Sequence, residues 1–114
     1  MAGAAIGDVR LARAMTVLVD ELREYPHAGL PLRLWCHMAG DAGFDELHAF
    51  AARLAIDRAR FQGDHYDLPP WLRASAVALG AQEVTTREMI RRMHGPRGER
   101  ARRRYGRVTP RGTS

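Results

Sequence analysis

A short apolar run near the N-terminus is the feature that most limits the fold of this chain. The run Thr16-Val17-Leu18-Val19 contains three β-branched residues and one leucine, and it ends at Asp20. β-Branched residues favour strands, and a strand without a polar face is typical of a position buried on both faces of a sheet. The run therefore predicts a central strand at Met15–Asp20, in a sheet that helices cover.

The other strand signals are weaker and shorter. Alternating apolar positions over Leu32–Met38 predict a second strand, and brief strands are expected at Arg60–Gln62 and at Gln82–Val84. A helix pattern follows each of the last three strand segments. The alternating order predicts an α/β fold with a small, mostly parallel three- to four-stranded sheet covered by helices.

Three helices are predicted from apolar spacing and end signals. Phe44–Ala55 carries apolar residues at helical spacing, namely Leu47, Phe50, Ala51 and Leu54. Pro69-Pro70 suits the first turn of a second helix, for which Gly80 is the natural end. Thr85–Glu88 matches a capping box at the start of a third helix.

Charge separates a folded part from a tail. Residues 94–114 carry seven arginines and one glutamate, whereas residues 1–93 carry 11 arginines and 12 acidic residues. We expect an N-terminal extension at 1–14, a single α/β domain at 15–93 and a basic, disordered tail at 94–114. The apolar core of so small a domain is limited, so a homodimer is also expected.

Composition limits the cellular setting. The single cysteine, Cys36, rules out a disulfide within the chain, and the residue is expected to be a buried, unreactive thiol. No apolar run is long enough to span a membrane, and Met1–Ala14 lacks the apolar core of a signal peptide. These features predict a cytoplasmic protein without a membrane partner.

The stretch Phe61–Leu68, the polar stretch, concentrates chemically capable side chains between a helix and Pro69-Pro70. It contains two acids, an imidazole, a phenol and an amide. It matches no P-loop, zinc ribbon or helical metalloprotease motif, and no glycine-rich nucleotide motif follows the first strand. The sequence therefore points to a polar site without naming its reaction.

Several short motifs together resemble a family of small bacterial and phage proteins, the domain of unknown function 4031 family. They are Met15-Thr16-Val17-Leu18-Val19-Asp20, Trp35-Cys36-His37-Met38, Glu46-Leu47-His48-Ala49-Phe50-Ala51, Phe61-Gln62 and His65-Tyr66-Asp67-Leu68. The resemblance covers about Met15 to Met93 and implies a self-contained domain but no activity. One departure is Ala55, where that family commonly has glycine, so a different helix exit is expected here.

Polar residues follow two of the predicted strands. Asp20, His65 and Asp67 are expected to open onto the same sheet edge and are candidates for catalysis and for a divalent metal. Further candidate ligand-binding residues are His37, His48, Gln62 and Tyr66. The structural alternatives are a half-buried His48 bonded to the backbone, an Asp67 that caps the next helix, a His65 that bonds Asp67 or Asp20, and an Asp20 that forms a turn.

The tail supplies the candidate nucleic-acid contacts. Its arginines favour phosphate backbones through charge, and those proposed for binding are Arg97, Arg100, Arg102, Arg103, Arg104 and Arg107. The alternative is a tail that only aids solubility.

Two classes of function follow from these candidates. One is a metal-assisted hydrolase or nuclease that acts on phosphate-bearing substrates. The other is a non-enzymatic accessory protein that binds nucleic acid through the arginine-rich tail.

Overall fold

Five short strands form one sheet in a computed structural model that describes residues 16–25 and 33–107. The strands are β1 (Val17–Val19), β2 (Arg23–Glu24), β3 (Leu34–Gly40), β4 (Tyr66–Leu68) and β5 (Gln82–Glu83). β1, β2 and β4 all pair with β3, and β5 pairs with β1. The predicted extension 1–14 and residues 108–114 lie outside the described residues.

The sheet is mostly antiparallel, so the predicted mostly parallel sheet is wrong. β1, β2 and β4 run antiparallel to β3, and only the β1–β5 pair is parallel. The prediction assumed a helical crossover between successive strands, because parallel neighbours need one. No helix separates β1, β2 and β3 in the described part of the chain, and a strand that returns without a crossover pairs antiparallel.

Helices cover both faces of the sheet. They are α1 (Phe44–Arg53), α2 (Pro70–Leu79), α3 (Thr86–Arg92) and α4 (Pro96–Tyr105), with a 3-10 turn at Arg58–Arg60. Among these helices, none is long and apolar enough to cross a membrane. The α/β content and the helices expected at Phe44, Pro70 and Thr86 are confirmed.

The core is divided between the two faces of β1, as a strand buried on both faces requires. Val17 and Val19 belong to the larger core beneath α1 and α2, whereas Leu18 belongs to a smaller one. The smaller core contains Ala39 of β3 and two methionines at α3, Met89 and Met93. All three residues of β1 are buried, so the prediction of a central strand is confirmed over Val17–Val19.

The polar stretch folds as a turn followed by a strand, and the strand predicted at Arg60–Gln62 is wrong. Phe61 forms only an isolated bridge with Tyr66, and the backbone N–H of Gln62 donates to the carbonyl of His65 at 2.8 Å. Gly63 takes a positive φ of 92° within this turn. The turn returns the chain along β3, and Tyr66–Leu68 forms β4 instead.

The end of α1 has the left-handed conformation that its alanine disfavours, so the prediction of a different helix exit is wrong. Ala55 has a φ of 58°, and the N–H of Ile56 donates to the carbonyl of Ala51 at 3.0 Å. That bond and the burial of Ile56 stabilise the exit. Ala55 therefore keeps the left-handed conformation and its backbone is strained.

A ten-residue helix, α4, lies within the segment predicted as a disordered tail. In α4, Gly98 and Ala101 are buried, and Arg102 Nη1 donates to the carbonyls of Arg91 and Met93, each at 3.0 Å. A Cβ atom added at Gly98 would lie 1.9 Å from the Met93 carbonyl oxygen, so only glycine allows this approach. Low apolar content predicted disorder, but small residues and arginine-to-carbonyl bonds dock the helix instead.

The strain at Ala55 predicts that Ala55→Gly stabilises the protein. Removing the Cβ relieves a left-handed alanine, and the gain exceeds the entropy that glycine adds to the unfolded chain by about 0.5–1 kcal/mol. Urea denaturation should show this increase in unfolding free energy. Ala52→Gly, at an exposed position inside α1, should instead destabilise by a similar amount. A loss of stability in both variants would contradict the claim of strain.

Candidate metal centre

A histidine and an aspartate lie opposite each other on neighbouring strands. His37 of β3 pairs with Asp67 of β4, and both side chains are partly exposed. The neighbouring residues Cys36 and Met38 point to the opposite face and are fully buried, as strand alternation requires. Pairing of β3 with β4 therefore places an imidazole and a carboxylate on one polar face.

The buried carboxylate of Asp20 fixes the ring of His37. Oδ2 of Asp20 accepts from His37 Nδ1 at 2.8 Å and from the Thr86 hydroxyl at 2.8 Å, and Oδ1 accepts from the His37 backbone N–H at 2.6 Å. Burial raises the pKa of Asp20, but the bonds from His37 and Thr86 outweigh it and hold the pKa below its usual value. His37 Nδ1 therefore carries a proton and Nε2 faces the site.

A second carboxylate pair holds His65. Its Nδ1 lies 2.6 Å from Asp64 Oδ1, and its Nε2 lies 3.2 Å from Asp67 Oδ1. Burial lowers the pKa of His65, but the hydrogen bonds to Asp67 and Asp64 outweigh it and raise the pKa above its usual value. The bond from His65 in turn lowers the pKa of Asp67. Both ring nitrogens face carboxylates, which favours the protonated form of the metal-free ring.

Three possible ligand atoms converge in this arrangement. One nitrogen of His37, one nitrogen of His65 and one oxygen of Asp67 all lie within 4.8 Å of one another. His37 Nε2 is 4.0 Å from Asp67 Oδ1, and the two imidazole ring centroids are 5.0 Å apart. We name these three residues the His37/His65/Asp67 cluster. Its geometry resembles a metal-binding triad whose histidines are each oriented by a further carboxylate.

A small cleft opens beside the cluster between β3, the polar stretch, α3 and α4. Arg97 of α4 reaches it, with its Nε 3.3 Å from Asp64 Oδ2 and about half of its side chain exposed. The lining residues are His37, His65, Thr86, Met89, Ile90, Met93 and Arg97. The cleft therefore combines one cation and two imidazoles with an apolar wall from α3.

Comparison with known proteins identifies the domain that holds the cluster. The family model described as Protein of unknown function (DUF4031) matches residues 17–95, which is more than half of the chain. The chain belongs to this family. No curated protein and no solved structure matches it. The resemblance found from the motifs is therefore confirmed.

The DUF4031 match includes the whole cluster and both orienting carboxylates. It ends at residue 95, immediately before α4 begins at Pro96. Arg97 and the other α4 arginines therefore lie outside the matched region. The family description names no activity.

Two of the predicted site residues lie on the other face of the sheet. His48 Nδ1 is 2.8 Å from the hydroxyl of buried Tyr66, and the His48 ring also packs against Phe61. Burial, followed by the nearby Arg58 charge, lowers the pKa of His48. These contacts fit a neutral His48 ring whose Nδ1 accepts a hydrogen bond from the Tyr66 hydroxyl. His48 is thus tied to a side chain instead of the predicted backbone carbonyl, and neither residue joins the cluster.

The other residues singled out from the sequence either contact the cluster or lie away from it. Asp20 contacts the cluster through His37 and lies outside the converging ligand atoms. The N-cap of α2 is Pro69, without a side-chain bond, so Asp67 does not cap that helix. The side chain of Gln62 is exposed. Burial raises the pKa of the Cys36 thiol to about 12, in agreement with an unreactive cysteine.

Sequence reasoning did not assign Asp64 and Thr86 their roles. Asp64 adjoins His65 and belongs to the polar stretch, so proximity in the chain was an available signal. Thr86 follows Thr85, which caps α3 by accepting from the N–H of Glu88 at 3.0 Å. The capping box assigns a role to Thr85 but none to Thr86. The hydrogen bond from Thr86 to Asp20 is visible only in the fold.

The His65–Asp67 pair predicts a pH-dependent contribution to stability in metal-free protein. The pKa of His65 is raised on folding, so this contribution is full below its ordinary value of about 6.5 and is lost as pH rises through the raised value. Urea denaturation in chelator should show the stability advantage of wild type over Asp67→Asn shrinking as pH rises above the ordinary His pKa of about 6.5.

The matched control for that experiment is His48→Gln. The pKa of His48 is lowered on folding, so the advantage of wild type over this variant should shrink in the opposite direction, as pH falls. An advantage over Asp67→Asn that stays constant or grows with rising pH would show that the two side chains do not interact as described.

Proposed function

We propose that this protein is a metal-dependent hydrolase that acts on phosphate-bearing substrates. The carrying observation is that a carboxylate holds Nδ1 of each histidine, which leaves both Nε2 atoms to converge on Asp67. Nε2 of His37, Nε2 of His65 and the carboxylate of Asp67 would bind one divalent ion. Asp20 and Asp64 would orient the two rings.

The donor set selects the class of metal. Two imidazole nitrogens and one carboxylate oxygen suit zinc and similar borderline ions, whereas magnesium prefers a set of oxygen ligands. Three protein ligands leave coordination positions for water or substrate, which distinguishes a catalytic zinc site from a closed structural one. Binding would displace the proton that His65 Nε2 shares with Asp67, because a metal requires the neutral ring.

The chemistry of the surroundings supports hydrolysis of a phosphate ester. A divalent ion would supply Lewis acidity and a bound water with a lowered pKa. The partly exposed Arg97 guanidinium lines the cleft beside His65, where it could bind a phosphate oxygen with paired N–H donors. The methionines and isoleucine of the α3 wall limit access of bulk water to one side of the cluster.

A second candidate function is nucleic-acid binding through α4, without catalysis. Arg100, Arg103 and Arg104 are exposed, and no carboxylate of residues 16–25 or 33–107 forms an ion pair with them. Tyr105 lies beside them with 59% of its surface exposed and with the Arg104 guanidinium 5.5 Å from its ring centre. Arginine and an exposed aromatic ring are the usual contacts for nucleic-acid backbones and bases.

The metal proposal predicts one divalent-ion site per chain. Calorimetric titration of chelator-treated protein with zinc, manganese and magnesium should show binding of zinc or manganese. His65→Ala and Asp67→Ala should abolish it, and Asp64→Asn should weaken it by about 10- to 100-fold through loss of ring orientation. Metal at about 100 times its Kd should raise the unfolding free energy by about 2.7 kcal/mol.

The control for charge alone is Asp45→Asn, an exposed carboxylate in the first turn of α1, which should leave metal affinity unchanged. Hydrolysis of a chromogenic phosphodiester should depend on the bound metal and disappear in Asp67→Ala. Absence of ion binding by wild type would overturn the metal centre. Ion binding without hydrolysis of phosphodiester or phosphomonoester substrates would overturn the hydrolase.

The nucleic-acid candidate predicts a loss of salt dependence when exposed α4 charges are removed. Substituting Arg100, Arg103 and Arg104 together by Gln should weaken oligonucleotide binding and reduce the salt slope by about 2 to 3, because each phosphate contact releases counterions. The substituted side chains do not dock α4, so the fold should remain. Fluorescence anisotropy at several salt concentrations measures both effects.

A matched triple variant separates location from net charge. Arg53, at the end of α1, and Arg58 and Arg60, in the 3-10 turn, are exposed and lie outside α4. Their substitution by Gln removes the same charge. This control should change affinity and salt slope much less than the α4 variant. Equal effects of the two variants would count against an interface on α4.

A further inference from the structure

We propose that a pocket between α3 and α4 binds a phosphate group, as inorganic phosphate or as a phosphomonoester. The pocket shares no lining residue with the His37/His65/Asp67 cluster, so it is independent of the proposed metal centre. We name it the basic pocket, and its lining residues are Asp41, Arg91, Arg92, His94, Arg102 and Arg107. Four arginines and one histidine thus surround a single carboxylate.

The one carboxylate is already engaged. Arg92 donates to Asp41 Oδ2 at 2.8 Å, to Glu88 Oε2 at 2.8 Å and to Gln82 Oε1 at 3.0 Å. This network neutralises Arg92 and fixes its guanidinium. Arg91, Arg102 and Arg107 form no ion pair with any carboxylate in the described part of the chain. The pocket therefore retains the charge of three arginines.

Arg102 is positioned with donors to spare. Its Nη1 uses its N–H groups on the carbonyls of Arg91 and Met93, at the C-terminal end of α3. A guanidinium has five N–H donors in a rigid plane, and those on Nε and Nη2 of Arg102 bond no acceptor among residues 16–25 and 33–107. Contact with backbone carbonyls fixes the side chain but does not cancel its charge as a carboxylate would.

Arg91 is held by an aromatic ring instead of a carboxylate. Its guanidinium carbon lies 5.3 Å from the ring centre of Tyr105, a cation–π contact that does not neutralise the charge of Arg91. Its buried Nε has no hydrogen-bond partner within residues 16–25 and 33–107. That nitrogen is closed to solvent, so Arg91 would act on a bound anion through its charge.

The charge and the donor geometry favour a phosphomonoester over a backbone phosphodiester. Three unpaired guanidinium groups around one pocket suit a group that carries close to two negative charges, whereas a phosphodiester carries one. Planar guanidinium groups can each contact two phosphate oxygens. Arg100, Arg103 and Arg104 do not line the basic pocket, and their exposed face of α4 suits a nucleic-acid backbone instead.

Titration with inorganic phosphate at constant ionic strength tests the basic pocket. NMR or calorimetry should show saturable binding that chloride does not reproduce. Arg107→Gln should weaken this binding about tenfold, as loss of one charge-assisted contact implies. Arg100→Gln removes the same charge from α4 but lies outside the pocket, so it should change the affinity less than about twofold.

Oligonucleotides identify the source of the phosphate and can overturn the proposal. A 5′-phosphorylated oligonucleotide should bind more tightly than its 5′-hydroxyl form if chain ends are recognised, and Arg107→Gln should remove that advantage. Inorganic phosphate binding without such an advantage would identify a small phosphate compound as the ligand. No saturable phosphate binding by wild type, or equal losses in Arg107→Gln and Arg100→Gln, would refute the basic pocket.

Discussion

The buried carboxylate of Asp20 is the interaction on which both the fold and the candidate metal centre depend. It accepts three hydrogen bonds, from the His37 backbone, the His37 ring and the Thr86 hydroxyl, while its own carbonyl accepts from Arg73 Nε at 2.8 Å. These bonds join β1 to β3, α3 and α2. A carboxylate without solvent contact is tolerated only when its charge is satisfied in this way. The same bonds set the tautomer and direction of His37, so packing and ligand geometry are coupled.

Local sequence signals predicted the elements better than their pairing. The apolar run at β1 and the helical spacing of α1 reflect which residues are buried. That pattern can be recognised within a single segment of the sequence. Strand direction depends on how the connections run, and the β1-to-β3 connection was misread as one step of a parallel sheet. The sequence predicted that Asp20, His65 and Asp67 share one sheet edge, because the carboxyl ends of parallel strands meet there. In the antiparallel sheet Asp67 instead lies opposite His37 on the neighbouring strand, and Asp20 contacts the cluster through the His37 ring.

Amino-acid composition and backbone preference gave wrong predictions for two segments, the end of α1 and α4. Ala55 adopts a left-handed backbone that alanine disfavours, because the Ile56 bond and burial outweigh about 1–2 kcal/mol of strain. α4 has almost no apolar side chains, yet Gly98 permits contact with the Met93 carbonyl and Arg102 bonds the end of α3. Both outcomes depend on contacts with other residues, which the local sequence pattern of each segment does not contain. Tertiary contacts therefore decided the segments where local propensity gave the wrong answer.

The family match contains all of the candidate metal centre but only part of the basic pocket. Every member of the His37/His65/Asp67 cluster and both orienting carboxylates lie within residues 17–95, whereas Arg97, Arg102 and Arg107 lie beyond it. The cluster can therefore form from the matched domain alone. The basic pocket needs α4, and Arg97 joins α4 to Asp64 at the edge of the cluster. Arg97 lines the cleft at the cluster and is absent from the lining of the basic pocket, so the two proposed sites share helix α4 but no lining residue.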